Sequence, residues 1–142
     1  MKTLLRYFAI RSLSEQVDPH KKDFFQKRFV EDSVARYNFA SRYIKNKTVL
    51  DIACGEGYGS FLLSKTASKV IGVDVAGDVI RNSVKTYRSN NSHIEFVCGD
   101  AIEFLVKTNM QFDVIISFET VEHIRDYEQF IKLLRKRLKS CG

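Results

Sequence analysis

The stretch Thr48 to Gly59, T-V-L-D-I-A-C-G-E-G-Y-G, writes a strand, a tight turn and a helix start in twelve residues. Val49, Leu50 and Ile52 make an apolar run bounded by polar residues, which suits a strand buried on both faces in a parallel sheet covered by helices. Asp51 stands near the carboxyl end of that strand, and Gly55, Gly57 and Gly59 follow as G-x-G-x-G. Glycine takes positive φ freely and lets a ligand approach the backbone with no Cβ in the way. Turns of this kind in open α/β sheets are where nucleotide-like ligands bind. The spacing differs from the dinucleotide G-x-G-x-x-G, whose last glycine comes one residue later. A tight turn that binds nothing fits the pattern too, so the neighbouring segments decide.

Downstream, the same design recurs. Tyr58 to Ala67 has helical character, and Lys69-Val70-Ile71-Gly72-Val73-Asp74 is a second buried strand ending in an acid. Asp74 lies 23 residues after Asp51, close to the offset at which nucleotide-binding α/β folds place a carboxylate for ribose hydroxyls. Such a group suits vicinal hydroxyls because its two oxygens accept two charge-assisted bonds. Asp78 to Tyr87 is predicted helical, His93 to Cys98 is a third strand, and Gly99-Asp100-Ala101 places another acid at a strand end. A short helix over Ala101 to Lys107 leads to a fourth strand, Phe112 to Ser117, and Glu122 to Ser140 is an amphipathic helix. Its apolar stripe is Ile124, Tyr127, Phe130, Ile131, Leu134 and Leu138, and Arg135, Lys136, Arg137 and Lys139 are expected to complement its negative end.

Upstream, residues 1–20 are expected to form an amino-terminal arm, closed by the single proline at Pro19, with the domain itself over residues 21–142. Lys21 to Lys45 is helical in pattern, with Phe25, Phe29, Ala35, Phe39 and Tyr43 recurring and Val34, Tyr37, Ala40 and Ile44 beside them; the aromatics are expected in the core, a roof over a ligand pocket being the alternative for some, and Asp32-Ser33 is expected to cap a second helix after Val30. A transit peptide would share the composition of the first 17 residues, but Arg6 and Arg11 interrupt any secretory apolar core.

Length and composition fit one globular domain: 142 residues, 44% hydrophobic and 28% charged. No apolar run approaches the ~20 residues of a membrane helix. Cys54, Cys98 and Cys141 are odd in number and scattered, which suits free thiols in a reducing, cytoplasmic setting and offers neither a disulfide framework nor a zinc spacing. The net charge of +6 is uneven: residues 1–48 carry 11 Lys/Arg against 5 Asp/Glu, residues 49–131 carry 7 against 12, and residues 132–142 carry 5 against none. The candidate site is therefore acidic. With no interleaving of aromatic and basic residues, a nucleic-acid surface is disfavoured despite a basic pI.

In these blocks, V-L-D-I-A-C-G-E-G-Y-G at 49–59, V-I-G-V-D at 70–74, C-G-D-A at 98–101 and F-D-V-I-I-S-F-E-T-V-E-H-I at 112–124, the chain resembles a class I S-adenosylmethionine-dependent methyltransferase over roughly residues 32–142. The fourth block resembles the small-molecule branch, since the Asn/Asp-Pro-Pro-aromatic run usual in DNA and RNA amino-methyltransferases is not there. The lead-in R-F-V-E-D-S-V-A-R-Y at 28–37 resembles methyltransferases of sugar or cell-surface polysaccharide pathways.

The resemblance implies a Rossmann-like α/β fold with a parallel sheet in the order 3-2-1-4, four strands where a whole domain has seven. The chain thus looks like the amino-terminal part of a domain, with strand four an open edge that a second copy could cover. The implied cofactor is S-adenosyl-L-methionine. Asp51, Gly55 and Gly57 would hold its methionine end, with Ala53, Cys54 and Tyr58 in the same turn and Ala53 in place of the family's first glycine. Asp51 would contact the ammonium directly or through water. Asp74 would take the ribose hydroxyls, Asp100 the adenine amino group and backbone near Ala101 the ring edge. Val75 would give adenine an apolar contact, and Phe118 and Glu119 would line the adenine and methyl side. His123 is the candidate base, a surface histidine in a helix's first turn being the plainer alternative. The implied acceptor is a small molecule. A half-domain that binds the cofactor without transfer, and more remotely a nicotinamide oxidoreductase or an RNA methyltransferase, are the rival functions.

Overall fold

The computed structural model describes residues 24–88 and 91–140, with side chains from Val30 onward; the expected arm and its boundary lie outside the described residues. Four strands form one parallel sheet: β1 (Thr48–Ile52), β2 (Lys69–Asp74), β3 (Ile94–Cys98) and β4 (Val114–Ile116), in the spatial order β3-β2-β1-β4. This is the order expected from the sequence. β1 sits between β2 and β4, with Asp51 opposite Gly72 on one side and Ile116 on the other, and Asp74 opposite Cys98 continues the row into β3. Parallel strands need crossovers, and short helices supply them: α2 (Tyr58–Leu63), α3 (Gly77–Ser83), α4 (Ala101–Lys107) and α5 (Tyr127–Arg137).

The period-two alternation of a strand sorts its side chains between two faces. Val49, Val70 and Ile116 pack with Tyr37, Ala40, Ile44 and Leu63 on one side. Leu50, Ile52, Ile71 and Val73 pack with Leu105, Phe112 and Phe130 on the other. A strand buried on both sides has no polar face, which is why β1 and β2 read as nearly unbroken apolar runs.

Several expectations about the helices change. The first helix, α1, runs unbroken over Phe24–Ser41; neither proline nor glycine interrupts it, so Asp32-Ser33 does not start a new one. Of its later residues Tyr37, Ala40 and Ile44 beyond its end are buried, whereas Phe39 and Tyr43 are 57% and 56% exposed and lean on each other with ring centroids 5.3 Å apart. α2 stops at Leu63 rather than Ala67: the Ser64 hydroxyl donates to the Phe61 carbonyl at 2.8 Å, the kind of local bond that competes with helix continuation. α3 passes into a π-helical turn over Val84–Arg88.

α5 begins at Tyr127 instead of Glu122, because Asp126 caps it by accepting from the Gln129 amide at 3.0 Å, and Val121–His123 form a separate 3-10 turn. Its Phe130 is buried, but Tyr127 and Ile131 are exposed. Two of the cations expected to serve the helix end do something else. Arg137 is buried and donates through Nε to the Leu105 carbonyl at 2.8 Å and through Nη2 to that of Val106 at 3.1 Å, tying α5 to the end of α4. Lys139 pairs with Asp113 at 2.9 Å. β4 is also shorter than expected. Phe112 pairs instead with Leu138 in a parallel bridge, donating to the Arg137 carbonyl at 2.8 Å and accepting from the Lys139 amide at 2.9 Å. The chain itself therefore covers the start of the β4 edge.

Candidate functional site

In-register parallel strands bring their carboxyl ends to one edge of the sheet. Four loops meet there: Ala53–Gly57 after β1, Val75–Ala76 after β2, Gly99–Asp100 after β3 and Ser117–Thr120 after β4. The expected site residues Ala53, Cys54, Gly55, Gly57, Asp74, Val75, Asp100, Ala101, Phe118 and Glu119 all lie in or beside these loops.

The three glycines divide by task. Gly55 has φ +54° and, among the described residues, nothing within 4 Å of where its Cβ would stand, so its outer side is open to a ligand. Gly57 has φ +73°, but a Cβ there would meet the Phe96 ring at 2.5 Å; a Cβ at Gly59 would fall 1.9 Å from Tyr37 Cζ. These two are required by close packing. Ala53 also has positive φ, +60°, a conformation that costs a residue with a Cβ about 1–2 kcal/mol.

The acids have structural partners as well as open capacity. Asp74 Oδ2 accepts from the Gly55 amide at 2.9 Å and Oδ1 from the Ala76 amide at 2.9 Å. Each oxygen keeps a lone pair for one further donor, so the carboxylate that fastens the glycine turn can also face two hydroxyls. Asp100 caps α4 through Oδ1, accepting from the Ile102 and Glu103 amides at 2.8 and 3.0 Å. Its Oδ2 has no hydrogen bond among the described residues. A groove of about 330 Å³ opens beside it, between β3 and α4.

Asp51 differs from both. Alternation along β1 points it to the face that α1 and α2 cover, where it is 1% exposed. The Ser60 hydroxyl donates to Oδ2 at 2.6 Å, and the Tyr37 hydroxyl lies 3.2 Å from both oxygens. Burial pushes its carboxyl up to about 7; the bonds from Ser60 and Tyr37 oppose that rise, and the charge of Asp74 adds to it. Oδ1 receives one bond, from the Tyr37 hydroxyl, and so keeps a lone pair for an ammonium or a water. Burial also raises the Tyr37 phenol and the Cys54 thiol, with the charge of Asp51 adding in each case, so Cys54 is a packing thiol with no nucleophilic character.

The loop after β4 adds one residue the sequence reading missed. Arg36, on α1, forms an ion pair with Glu119 at 3.5 Å and lies 6.0 Å from the centre of the Phe118 ring, which in turn meets Tyr37 edge-on at 5.3 Å. Its Nε is buried without a hydrogen-bond partner among the described residues. Glu119 has φ +51°, backbone strain of the sort that gathers at ligand sites. Arg36 and Tyr37 close the lead-in stretch at 28–37, but that resemblance assigned neither of them a role at the site. Tyr58 and Val75 are exposed at 42% and 72%. His123 stands exposed at the end of the Val121–His123 turn, its amide bonded to the Thr120 carbonyl at 2.9 Å. Among the described residues no three His, Cys, Asp or Glu side chains are grouped to hold a metal ion, and no helix is long and apolar enough to cross a membrane.

Comparison with known proteins identifies the family. A family model described as a methyltransferase domain matches residues 49–142. A ubiquinone biosynthesis O-methyltransferase of Coxiella burnetii is 34% identical over 99 residues, 70% of this chain and 42% of that protein. One from Pelagibacter ubique is 29% identical over 118 residues, 81% of this chain and 48% of its own. The chain thus spans about half the length of the curated relatives it matches. Among solved structures, the N-methyltransferase NodS from Bradyrhizobium japonicum WM9, in complex with S-adenosyl-l-homocysteine, superposes with TM-score 0.65 at 22% identity over 86% of this chain and 61% of NodS. The YcgJ protein of Bacillus subtilis gives 0.66 at 20% identity over 79% of this chain and 48% of its own. The glycine turn, the acids at the strand ends and the family match over two thirds of the chain lead to one conclusion: the chain belongs to the methyltransferase domain family, of the class I fold that uses S-adenosylmethionine.

Proposed function

We propose that this chain binds S-adenosylmethionine across the carboxyl edge of its sheet and forms the cofactor half of an enzyme that methylates a small molecule. The observation that carries this is Gly55: open on its outer side, held at positive φ, and fastened by the same Asp74 carboxylate whose remaining lone pairs suit a ribose. The bound cofactor supplies a methyl group already activated on sulfonium. The chain's own residues contribute placement, worth up to ~7–11 kcal/mol of barrier in well-oriented reactions. Asp74 would receive both ribose hydroxyls, Asp100 Oδ2 the adenine amino group, and Val75 and Phe118 the flanks of the ring. Arg36, with its buried Nε unpartnered, suits the cofactor's carboxylate, and Glu119 would release part of its ion pair to allow this. Exposed ion pairs are worth at most ~1 kcal/mol, so that exchange costs little.

The acceptor atom would be oxygen, by analogy with relatives named as O-methyltransferases, and His123 would be the base where the acceptor must lose a proton. The resemblance of residues 28–37 favours a sugar or cell-surface precursor as acceptor over a quinone ring. A homodimer through the β4 edge is a further possibility, limited to the part of the edge beyond the Phe112–Leu138 bridge; a strictly monomeric species in light scattering would reject it. The free thiols suit a cytoplasmic protein.

The testing experiment is calorimetric titration with S-adenosylmethionine of the wild type and Asp74→Ala. A loss of about 1–3 kcal/mol is expected, the scale of lost hydrogen bonds to a charged group. Unchanged affinity would reject Asp74 as the ribose ligand.

A further inference from the structure

Tyr37 fills a notch cut for it. Its ring occupies the space above Gly59, and its hydroxyl reaches both oxygens of Asp51 at 3.2 Å, while Ser60 donates at 2.6 Å. A phenylalanine would fill the same notch, so packing does not account for the hydroxyl.

The groups around Asp51 are also unusual for a carboxylate kept for stability. α1 contributes the Tyr37 phenol, with Arg36 close enough to act electrostatically on that phenol; α2 contributes the Ser60 hydroxyl; the turn contributes the Cys54 thiol; and β2 contributes a second negative charge, Asp74. β4 presents Ile116 opposite Asp51 and adds no charge. Two hydroxyls thus support an inward carboxylate that no cation among the described residues neutralises. Burying such a group is costly unless it is hydrogen-bonded and paired, and the free-energy cost is understandable where a cationic ligand completes the set.

Resting on the S-adenosylmethionine reading above, we propose that Tyr37 is a positioning residue. Through its bond to Asp51 it holds that carboxylate oriented and ionised for the cofactor's ammonium, and it couples the packing of α1 over the glycine turn to occupancy of the site. Arg36 and Tyr37 are adjacent on α1, so the helix brings one group for each end of the amino acid: a cation for its carboxylate and, through Asp51, an anion for its ammonium.

The test compares wild type with Tyr37→Phe, which keeps the ring in the Gly59 notch. Three quantities are followed across the pH range around 7: the Asp51 carboxyl titration by carbon-13 NMR in the ligand-free chain, the S-adenosylmethionine affinity by calorimetry, and the urea stability. In the wild type, affinity should rise with pH through about 7 as Asp51 ionises. Tyr37→Phe removes a bond that favours the charged form, so the NMR midpoint and the affinity midpoint should both move up by about one pH unit. Site-specific 3-fluorotyrosine at position 37, a stronger donor with the ring retained, should move both midpoints down. Binding with midpoints unmoved in both variants would overturn the role of Tyr37 alone, whatever the loss of stability. Failure of the folded wild type to bind S-adenosylmethionine at any pH would overturn the cofactor reading itself and this role with it.

Discussion

Gly59→Ala should destabilise the domain by about 2–5 kcal/mol, although the substitution is favourable locally. Gly59 is the second residue of α2 and has no positive φ, so alanine would gain about 1 kcal/mol in helix propensity. Against this, the new Cβ would stand 1.9 Å from Tyr37 Cζ and 2.2 and 2.3 Å from its two Cε atoms. The ring must retreat by roughly 1.5 Å to restore ordinary contact near 3.5–4 Å. Overpacking of this kind costs about 1–3 kcal/mol. The retreat also takes the hydroxyl, now 3.2 Å from Asp51, beyond bonding distance, a loss of about 1.5–3 kcal/mol for a bond to a charged group. Urea unfolding, with the midpoint lowered and the slope unchanged, measures the sum. In a Tyr37→Ala background the clash and the bond are both gone, and Gly59→Ala should be neutral or stabilising by up to about 1 kcal/mol. A neutral or stabilising effect of Gly59→Ala in the wild-type background would refute the packing of Tyr37 over the turn.

Ala53→Gly should stabilise the chain by about 0.5–1 kcal/mol, since relief of the φ +60° conformation exceeds the added entropy of glycine in the unfolded chain; a lower urea midpoint would contradict the strained turn. Asp51 has its carboxyl raised to about 7, so the folded state holds the proton more tightly than the unfolded chain. Its contribution is therefore greatest at low pH and is lost as pH rises through about 7. Accordingly, Asp51→Asn should look progressively less destabilising, relative to wild type, as pH is raised from about 5 toward 8, and a difference independent of pH would show that Asp51 is not buried as described.

Much of the fold was legible because buried parallel strands announce themselves. The runs at Val49–Ile52, Lys69–Asp74 and His93–Cys98 match the observed strands to within a residue or so, and the crossover helices between them leave few ways to order the sheet. Helix faces were less legible. Phe39 and Tyr43 look like core at helical spacing, yet the α1 segment buries the narrower stripe through Tyr37, Ala40 and Ile44, because which stripe faces the sheet depends on the tertiary docking angle. The start of α5 falls later than expected because Asp126 caps the helix, although the apolar periodicity already begins at Ile124.

At the site, the acids at strand ends and the glycine turn were visible as residue types at fixed offsets, whereas their division of labour was not. That Gly55 is open and Gly57 and Gly59 are closely packed depends on Phe96 and Tyr37, residues distant in sequence. Arg36 escaped notice for the same reason: its neighbours Phe118 and Glu119 come from the far side of β4.

The most direct measurement is calorimetric titration of the folded chain with S-adenosylmethionine, with NADH titrated in parallel. Saturable one-to-one binding of S-adenosylmethionine and none of NADH is the expected result. No S-adenosylmethionine heat from a well-folded sample, or binding of NADH in its place, would contradict the assignment of the Thr48–Gly59 turn to the methyl donor.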